Sequence, residues 1–237
     1  MSVIWHDLEC AAYDADTTVW RSLAGRHGDP VLDVGAGTGR VALDLARHGH
    51  RVTALDHDPM LVAELARRAE GLEVGTAVSD ARDFELRRRF PLIIVPMQTI
   101  QLLGGSEGRR GFLGCARRHL DDGGVVALSI TETVELYNAR EGFPVPIPDI
   151  RELDGVVYSS QPTAVREESD GFVLERLRET IRPDGQRTIE EDLVRLDRLT
   201  AAELEREGEA EGLRRSGRMT IAPTRDHVGS VVVVMHG

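Results

Sequence analysis

The sequence predicts an α/β fold, an open and mostly parallel sheet followed by an antiparallel segment, and three observations carry that prediction. Up to about residue 130, short apolar runs alternate with segments of helical periodicity. The first run, Val31-Leu32-Asp33-Val34, passes directly into the glycine turn Gly35-Ala36-Gly37-Thr38-Gly39 and then into a helical segment. Beyond a Pro-rich passage over residues 142–148 the alternation gives way to three long strand-like runs. At 237 residues with 41% hydrophobic content, the chain suits one such domain with an insertion.

The elements follow in order. Ile4, Leu8, Val19 and Leu23 space one or two helices ahead of the first strand. That strand is apolar at Val31, Leu32 and Val34, as a strand covered on both faces must be. The three alternate glycines permit positive φ and close approach of a ligand to the backbone. Val41, Leu45 and Ala46 then give a helix whose unpaired amides point at the same place, so a nucleotide-like ligand is the natural occupant. A second strand over residues 51–55 ends in Asp56-His57-Asp58-Pro59-Met60, with Asp58 as a helix cap and Pro59 in the first turn. Asp56 lies 17 residues past Gly39, where an acid accepts both ribose hydroxyls. A third strand over 72–78 leads into Ser79-Asp80-Ala81-Arg82-Asp83, and a fourth over 90–95 runs out into Pro96-Met97-Gln98-Thr99. Phe112, Leu113, Ala116 and Leu120 mark a helix, which Asp121-Asp122-Gly123-Gly124 ends before a fifth strand over 125–130. The long runs cover 156–166, 172–181 and 187–199, separated by Gly171 and the Pro183-Asp184-Gly185 turn. A helix over 200–212 opens with a capping box, Thr200 and Glu203, and two last strands cover 213–221 and 230–235. The loop between those strands, carrying His227, opens on the carboxyl edge of the sheet.

Composition narrows the function. A net charge of -11 disfavours nucleic acid and anionic membrane as partners. All 29 basic residues are arginine, which removes Schiff-base and lysine-nucleophile chemistry. Cys10 and Cys115 lack metal-ligand spacing and read as reduced packing thiols, and no carboxylate cluster suited to Mg²⁺ is evident. Neither a leader segment nor a run of membrane-spanning length is visible, so the reading is a cytoplasmic enzyme.

A dinucleotide turn would read G-x-G-x-x-G. Here the spacing is G-x-G-x-G with Asp33 two residues before the first glycine. With Asp56 and Asp80-Ala81 in order behind it, the chain resembles the class I S-adenosylmethionine-dependent methyltransferases, of the small-molecule type similar to glycine N-methyltransferase and the amino-sugar N,N-dimethyltransferases. The likeness runs over nearly the whole chain, and its specific motifs lie within residues 31–103. It implies a Rossmann-like, seven-stranded methyltransferase sheet with an antiparallel β insertion after the fifth strand. Residues 1–150 and 200–237 would form the core, and 151–199 would either cover the acceptor site or form a homodimer surface. The cofactor implied is S-adenosyl-L-methionine, leaving S-adenosyl-L-homocysteine as product. Gly35, Ala36, Gly37 and Gly39 would cradle its methionine end, with Asp33 as partner of the ammonium group. Asp56 would hold the ribose, His57 would lie by the adenine face, and Asp80 and the Ala81 amide would bind the adenine edge. Met60 and Met97 are assigned to the same site, and Tyr13 and Arg21 would reach over it, Arg21 pairing with the carboxylate.

Methyl transfer from a sulfonium needs alignment and exclusion of water more than a protein nucleophile. The resemblance points to a small-molecule acceptor, an amine, with O-methylation as the alternative. A hydroxyl acceptor needs a base, and Gln98, Tyr137 and His227 are the candidate catalytic residues, with Tyr158 and Glu132 behind them. The turn at Gln98-Thr99 departs from the Asn-Pro-Pro-Tyr of nucleic-acid amino methyltransferases and counts against base methylation. Plainer roles compete: His227 as a turn histidine tied to Asp226, His57 as a solvated loop residue, Tyr13 and Arg21 as packing or a surface ion pair. A nicotinamide-dependent dehydrogenase and a non-catalytic S-adenosylmethionine sensor are the readings from other classes.

Overall fold

Two sheets organise the molecule, and the computed structural model describes residues 3–142, 144–224 and 227–237. Along the chain come α1 (Val3–Cys10), α2 (Thr17–His27), β1 (Val31–Val34), α3 (Arg40–Arg47), β2 (Val52–Asp56), α4 (Pro59–Arg68), β3 (Val74–Val78) and β4 (Phe90–Val95). A 3₁₀ turn at Thr99–Leu102 leads to α5 (Gly105–His119) and β5 (Leu120–Ile130). Then follow β6 (Tyr137–Asn138), β7 (Asp149–Leu153), β8 (Val156–Glu167), β9 (Gly171–Ile181), β10 (Arg187–Asp197), α6 (Ala201–Ala210), β11 (Arg214–Ile221) and β12 (Ser230–His236).

The first sheet has seven strands in the order β11-β12-β5-β4-β1-β2-β3. Strands β1 to β5 are parallel, while β12 is antiparallel to both of its neighbours. Alternate residues of the central strands go to opposite cores, which is why those runs are apolar throughout. Leu32, Val34, Ile93 and Val95 join Phe112, Leu113 and Leu204 of α5 and α6 on one side. Val31, Leu92 and Ile94 join Trp20, Leu43 and Leu65 of α2, α3 and α4 on the other. Both caps form as the sequence predicts: Asp58 accepts from the Met60 amide, and Thr200 and Glu203 close a reciprocal capping box.

The second sheet is antiparallel, with the path β10-β9-β8-β6 and β7 paired to β8. It recruits Tyr137–Asn138 and Asp149–Leu153 as well as the three long runs, so it begins earlier in the chain than the expected 151. These short pieces have too little periodicity of their own, and pairing with β8 makes them strands. Strand β5 likewise starts early. Leu120 pairs with Phe90, the Asp121-Asp122-Gly123 segment bulges out, and regular pairing resumes at Val125 opposite Leu92. Among the described residues no helix is long and apolar enough to cross a membrane.

Candidate active site

The glycine turn joins the carboxyl end of β1 to α3, and all three of its glycines have positive φ: 73° at Gly35, 55° at Gly37 and 96° at Gly39. The amides of Gly35 and Ala36 both donate to the Leu55 carbonyl, at 2.8 and 3.0 Å, tying the turn to β2. The next amide, of Gly37, donates to Asp56 Oδ2 at 2.8 Å, and Asp58 N donates to Asp56 Oδ1 at 3.0 Å. Asp56 thus braces the turn with one lone pair of each oxygen. Its other lone pairs remain for a ligand. Side chains lie directly against the glycines: a Cβ on Gly35 would meet Thr99 Cγ2 at 2.4 Å, and one on Gly37 would meet His6 Nε2 at 2.1 Å.

Beside the turn lies a small cavity of about 40 Å³, lined by His6, Cys10, Asp33, Arg40, Met97 and Thr99 among others. Asp33 is buried beneath it, and neither of its carboxylate oxygens has a hydrogen-bond partner. Burial pushes its pKa up to about 7, against the pull of the Arg40 guanidinium. Arg40 itself is committed elsewhere, bidentate to Asp16 at 2.5 and 2.7 Å and donating to the Tyr13 carbonyl. An unpartnered buried carboxylate at the mouth of a glycine turn is a seat for a cation. This chain's residues therefore fit a ligand with an ammonium group there and a nucleoside toward Asp56.

Along the carboxyl edge the other expected cofactor residues spread out. His57 is exposed, with Nδ1 3.4 Å from Asp56 Oδ1, and the Met60 side chain is exposed at the start of α4. Asp80 is held by Arg82 through two guanidinium nitrogens and the backbone amide, and that pairing lowers its pKa to about 2. Ala81 is buried beside it. Met97 adopts φ 53°, a left-handed conformation unusual for a non-glycine residue, directly at the cavity wall. Arg21 is not brought to this group. Its guanidinium makes a two-pronged pair with Asp44 of α3, at 2.7 and 2.5 Å, because the face of α2 that carries it packs beside α3.

Residues 31–124 match the family model described as Methyltransferase domain. This stretch is similar to a methyltransferase domain. A stretch of 112 residues is 30% identical to the cypemycin N-terminal methyltransferase of Streptomyces sp, covering 47% of this chain and 46% of that protein. The chain thus spans about half the length of this curated relative. By fold it resembles the sugar N-methyltransferase KedS8 from Streptoalloteichus sp ATCC 53650, with TM-score 0.73 and 19% identity over 98% of this chain and 90% of that one. It also resembles the amino pentose methyltransferase CalS10 from Micromonospora echinaspora, solved with S-adenosylmethionine bound, with TM-score 0.71 and 18% identity over 99% and 97% of the two chains.

Among the residues expected near the acceptor, Gln98 has its amide 3.4 Å from Ser230 Oγ. Tyr137 is half-buried at the rim of the second sheet, and burial raises its hydroxyl's pKa. Tyr158 sits edge-on to Trp5 at 5.5 Å. The ring of His227 lies over Tyr13 with centroids 4.7 Å apart, and its amide donates to Thr224 Oγ1, while Asp226 lies outside the described residues. Glu132 is used structurally: it accepts from the Ala201 amide at 2.7 Å and caps α6. Among the described residues no group of three or more His, Cys, Asp or Glu side chains is placed to hold a metal ion.

Sequence reasoning missed His6, Cys10 and Arg40 in the cavity beside the glycine turn. The apolar spacing of Ile4 and Leu8 announces α1, but its polar face is what lands on the glycine turn. Asp7 of that face accepts from Thr38 Oγ1 at 2.7 Å and from Arg68 at 2.5 and 3.0 Å. Glu9 accepts from Arg176, Arg178 and Ser160 of the second sheet at 2.8 to 3.0 Å.

Proposed function

We propose that this protein transfers a methyl group from S-adenosylmethionine to the amine of a small-molecule acceptor. The observation that carries the reading is Asp33, a buried carboxylate without a partner, set under a positive-φ glycine turn and one strand away from Asp56. Bound there, the cofactor would supply a methyl group already activated on sulfur. Asp33 would hold the ammonium of its amino-acid end, Asp56 the ribose hydroxyls through its spare lone pairs, and Asp80 with Ala81 the adenine edge. Gly35 and Gly37 would let the cofactor approach the backbone where the Thr99 and His6 side chains now lie, Gly39 opens instead toward Leu43 and Leu65, and Met97 with Gln98 would border the position of the methyl group. The second sheet, fastened to α1 through Glu9, would cover that end and exclude water, which favours the in-line displacement.

An amine that arrives neutral needs no base, so Tyr137, Gln98 and His227 are assigned to orienting the acceptor. The name of KedS8, a sugar N-methyltransferase, supports nitrogen over oxygen. The chain is read as cytoplasmic, without nucleic acid or membrane as partner. Incubation with S-adenosylmethionine and a panel of amines and matched alcohols, followed by mass spectrometry, tests the whole reading. Methylated amine with released S-adenosylhomocysteine is expected. Methylated alcohol alone would turn the assignment to oxygen, and cofactor binding without turnover across the panel would favour a sensor.

A further inference from the structure

His6 and Asp33 both line the cavity beside the glycine turn. Its tautomer follows from its neighbours. The single hydroxyl hydrogen of Thr38 goes to Asp7 Oδ1 at 2.7 Å, a carboxylate that can only accept. At the 3.2 Å contact between Thr38 Oγ1 and His6 Nδ1, the hydroxyl oxygen must therefore accept and Nδ1 must carry the hydrogen. Nε2 is left with a bare lone pair, and that atom is the one that lies against Gly37.

Burial holds the ring below its ordinary pKa and so neutral at pH 7, although Asp56, Asp7 and Glu9 pull upward and Arg68 adds to the lowering. The cavity, about 40 Å³, has room for about one water. An amino-acid group is larger, so on its entry the imidazole would have to move off Gly37, with Nδ1 kept on Thr38 and Nε2 toward the incoming group. We propose that His6 is a donor-binding residue, whose Nε2 accepts a hydrogen bond from the ammonium group of the cofactor alongside the Asp33 carboxylate. This rests on the S-adenosylmethionine reading above. It gives the ammonium a neutral acceptor and an anionic one in the same cavity, the first supplied by α1 and the second by β1.

Calorimetry with two ligands tests it: S-adenosylhomocysteine, which keeps the amino-acid end, and methylthioadenosine, which lacks it but keeps ribose and adenine. His6→Ala is expected to weaken S-adenosylhomocysteine about tenfold or more, the range for a hydrogen bond to a charged group, and to leave methylthioadenosine within about twofold. His6→Gln, whose amide oxygen stands near the place of Nε2, is expected to stay within about threefold of wild type for both ligands. Equal weakening of both ligands, no weakening of either, or a His6→Gln variant as poor as His6→Ala would each overturn the assignment. Should His6→Ala fail to fold, His6→Asn, which puts its oxygen near the place of Nδ1, replaces it in the same comparison. Failure of the wild-type chain to bind S-adenosylhomocysteine at all would overturn the cofactor reading, and His6 with it, whereas tight binding indifferent to position 6 overturns His6 alone.

Discussion

Asp33 and Asp56 are both acids at the ends of neighbouring strands, yet they behave in opposite ways. Asp56 has its amide partners within the protein, whereas Asp33 lacks any and holds a proton up to about pH 7. A folded-state pKa above the unfolded one means that the stabilising contribution is fully present below about pH 4 and is lost as pH rises through about 7. The ligand-free protein should therefore lose stability over that window, and a cationic ligand should restore it on the alkaline side. Thermal scans with S-adenosylhomocysteine should show a larger gain at pH 8 than at pH 6. In Asp33→Asn that difference should vanish, and the ligand-free variant should melt above wild type at pH 8. Asp56→Ala should instead weaken S-adenosylhomocysteine and methylthioadenosine alike, by about tenfold or more, since it removes both the ribose acceptor and the brace on the Gly37 amide. Calorimetry on the two ligands reads this directly.

Helix α1 has only eight residues, and its contacts run to both halves of the molecule. Asp7 grips Thr38 and Arg68 on the cofactor side, and Glu9 takes hydrogen bonds from Arg176 and Arg178 on the second sheet. The register pairs Arg176 with Asp192 and Arg178 with Ser160, so these groups share the inward face of that sheet. Glu9→Ala leaves the partly buried Arg176 and Arg178 with Asp192 as their remaining carboxylate and should cost about 1.5 to 3 kcal/mol in urea unfolding. Thr200→Ala, by contrast, removes only the α6 cap, for about 1 kcal/mol by the same measurement. The caps at Asp58 and Thr200 were legible because capping is a short-range pattern of a few residues. The landing of α1 was not, because periodicity reports which face of a helix is apolar and is silent on what its polar face meets across the chain. The same reason separates Arg21 from the site: sequence gives an arginine on α2, and only the packing of α2 on α3 gives it Asp44.

Over the whole molecule, the part most readable in sequence is the part governed by local rules. The strand, glycine turn and helix of residues 31–47, the acids at 56 and 80, and the return from the insertion into α6 all follow from spacing and turn chemistry. The second sheet was legible as three long runs, while its short members β6 and β7 exist through pairing to β8. Stability should be graded in the same way. Amide exchange is expected to be slowest in β1, β4 and β5, which are buried within the first sheet, and fastest along β10, an exposed edge strand. Exchange mass spectrometry resolves the two sets.

The position of Glu9 also sets a rule for re-engineering. Because the second sheet is built from one nearly continuous stretch, it invites exchange for the corresponding stretch of a relative as a test of the proposed acceptor role. A graft of residues 137–197 alone would separate Glu9 from Arg176, Arg178 and Ser160, its partners in the exchanged piece. A working chimera must therefore carry two segments, with α1 travelling beside the sheet that it fastens.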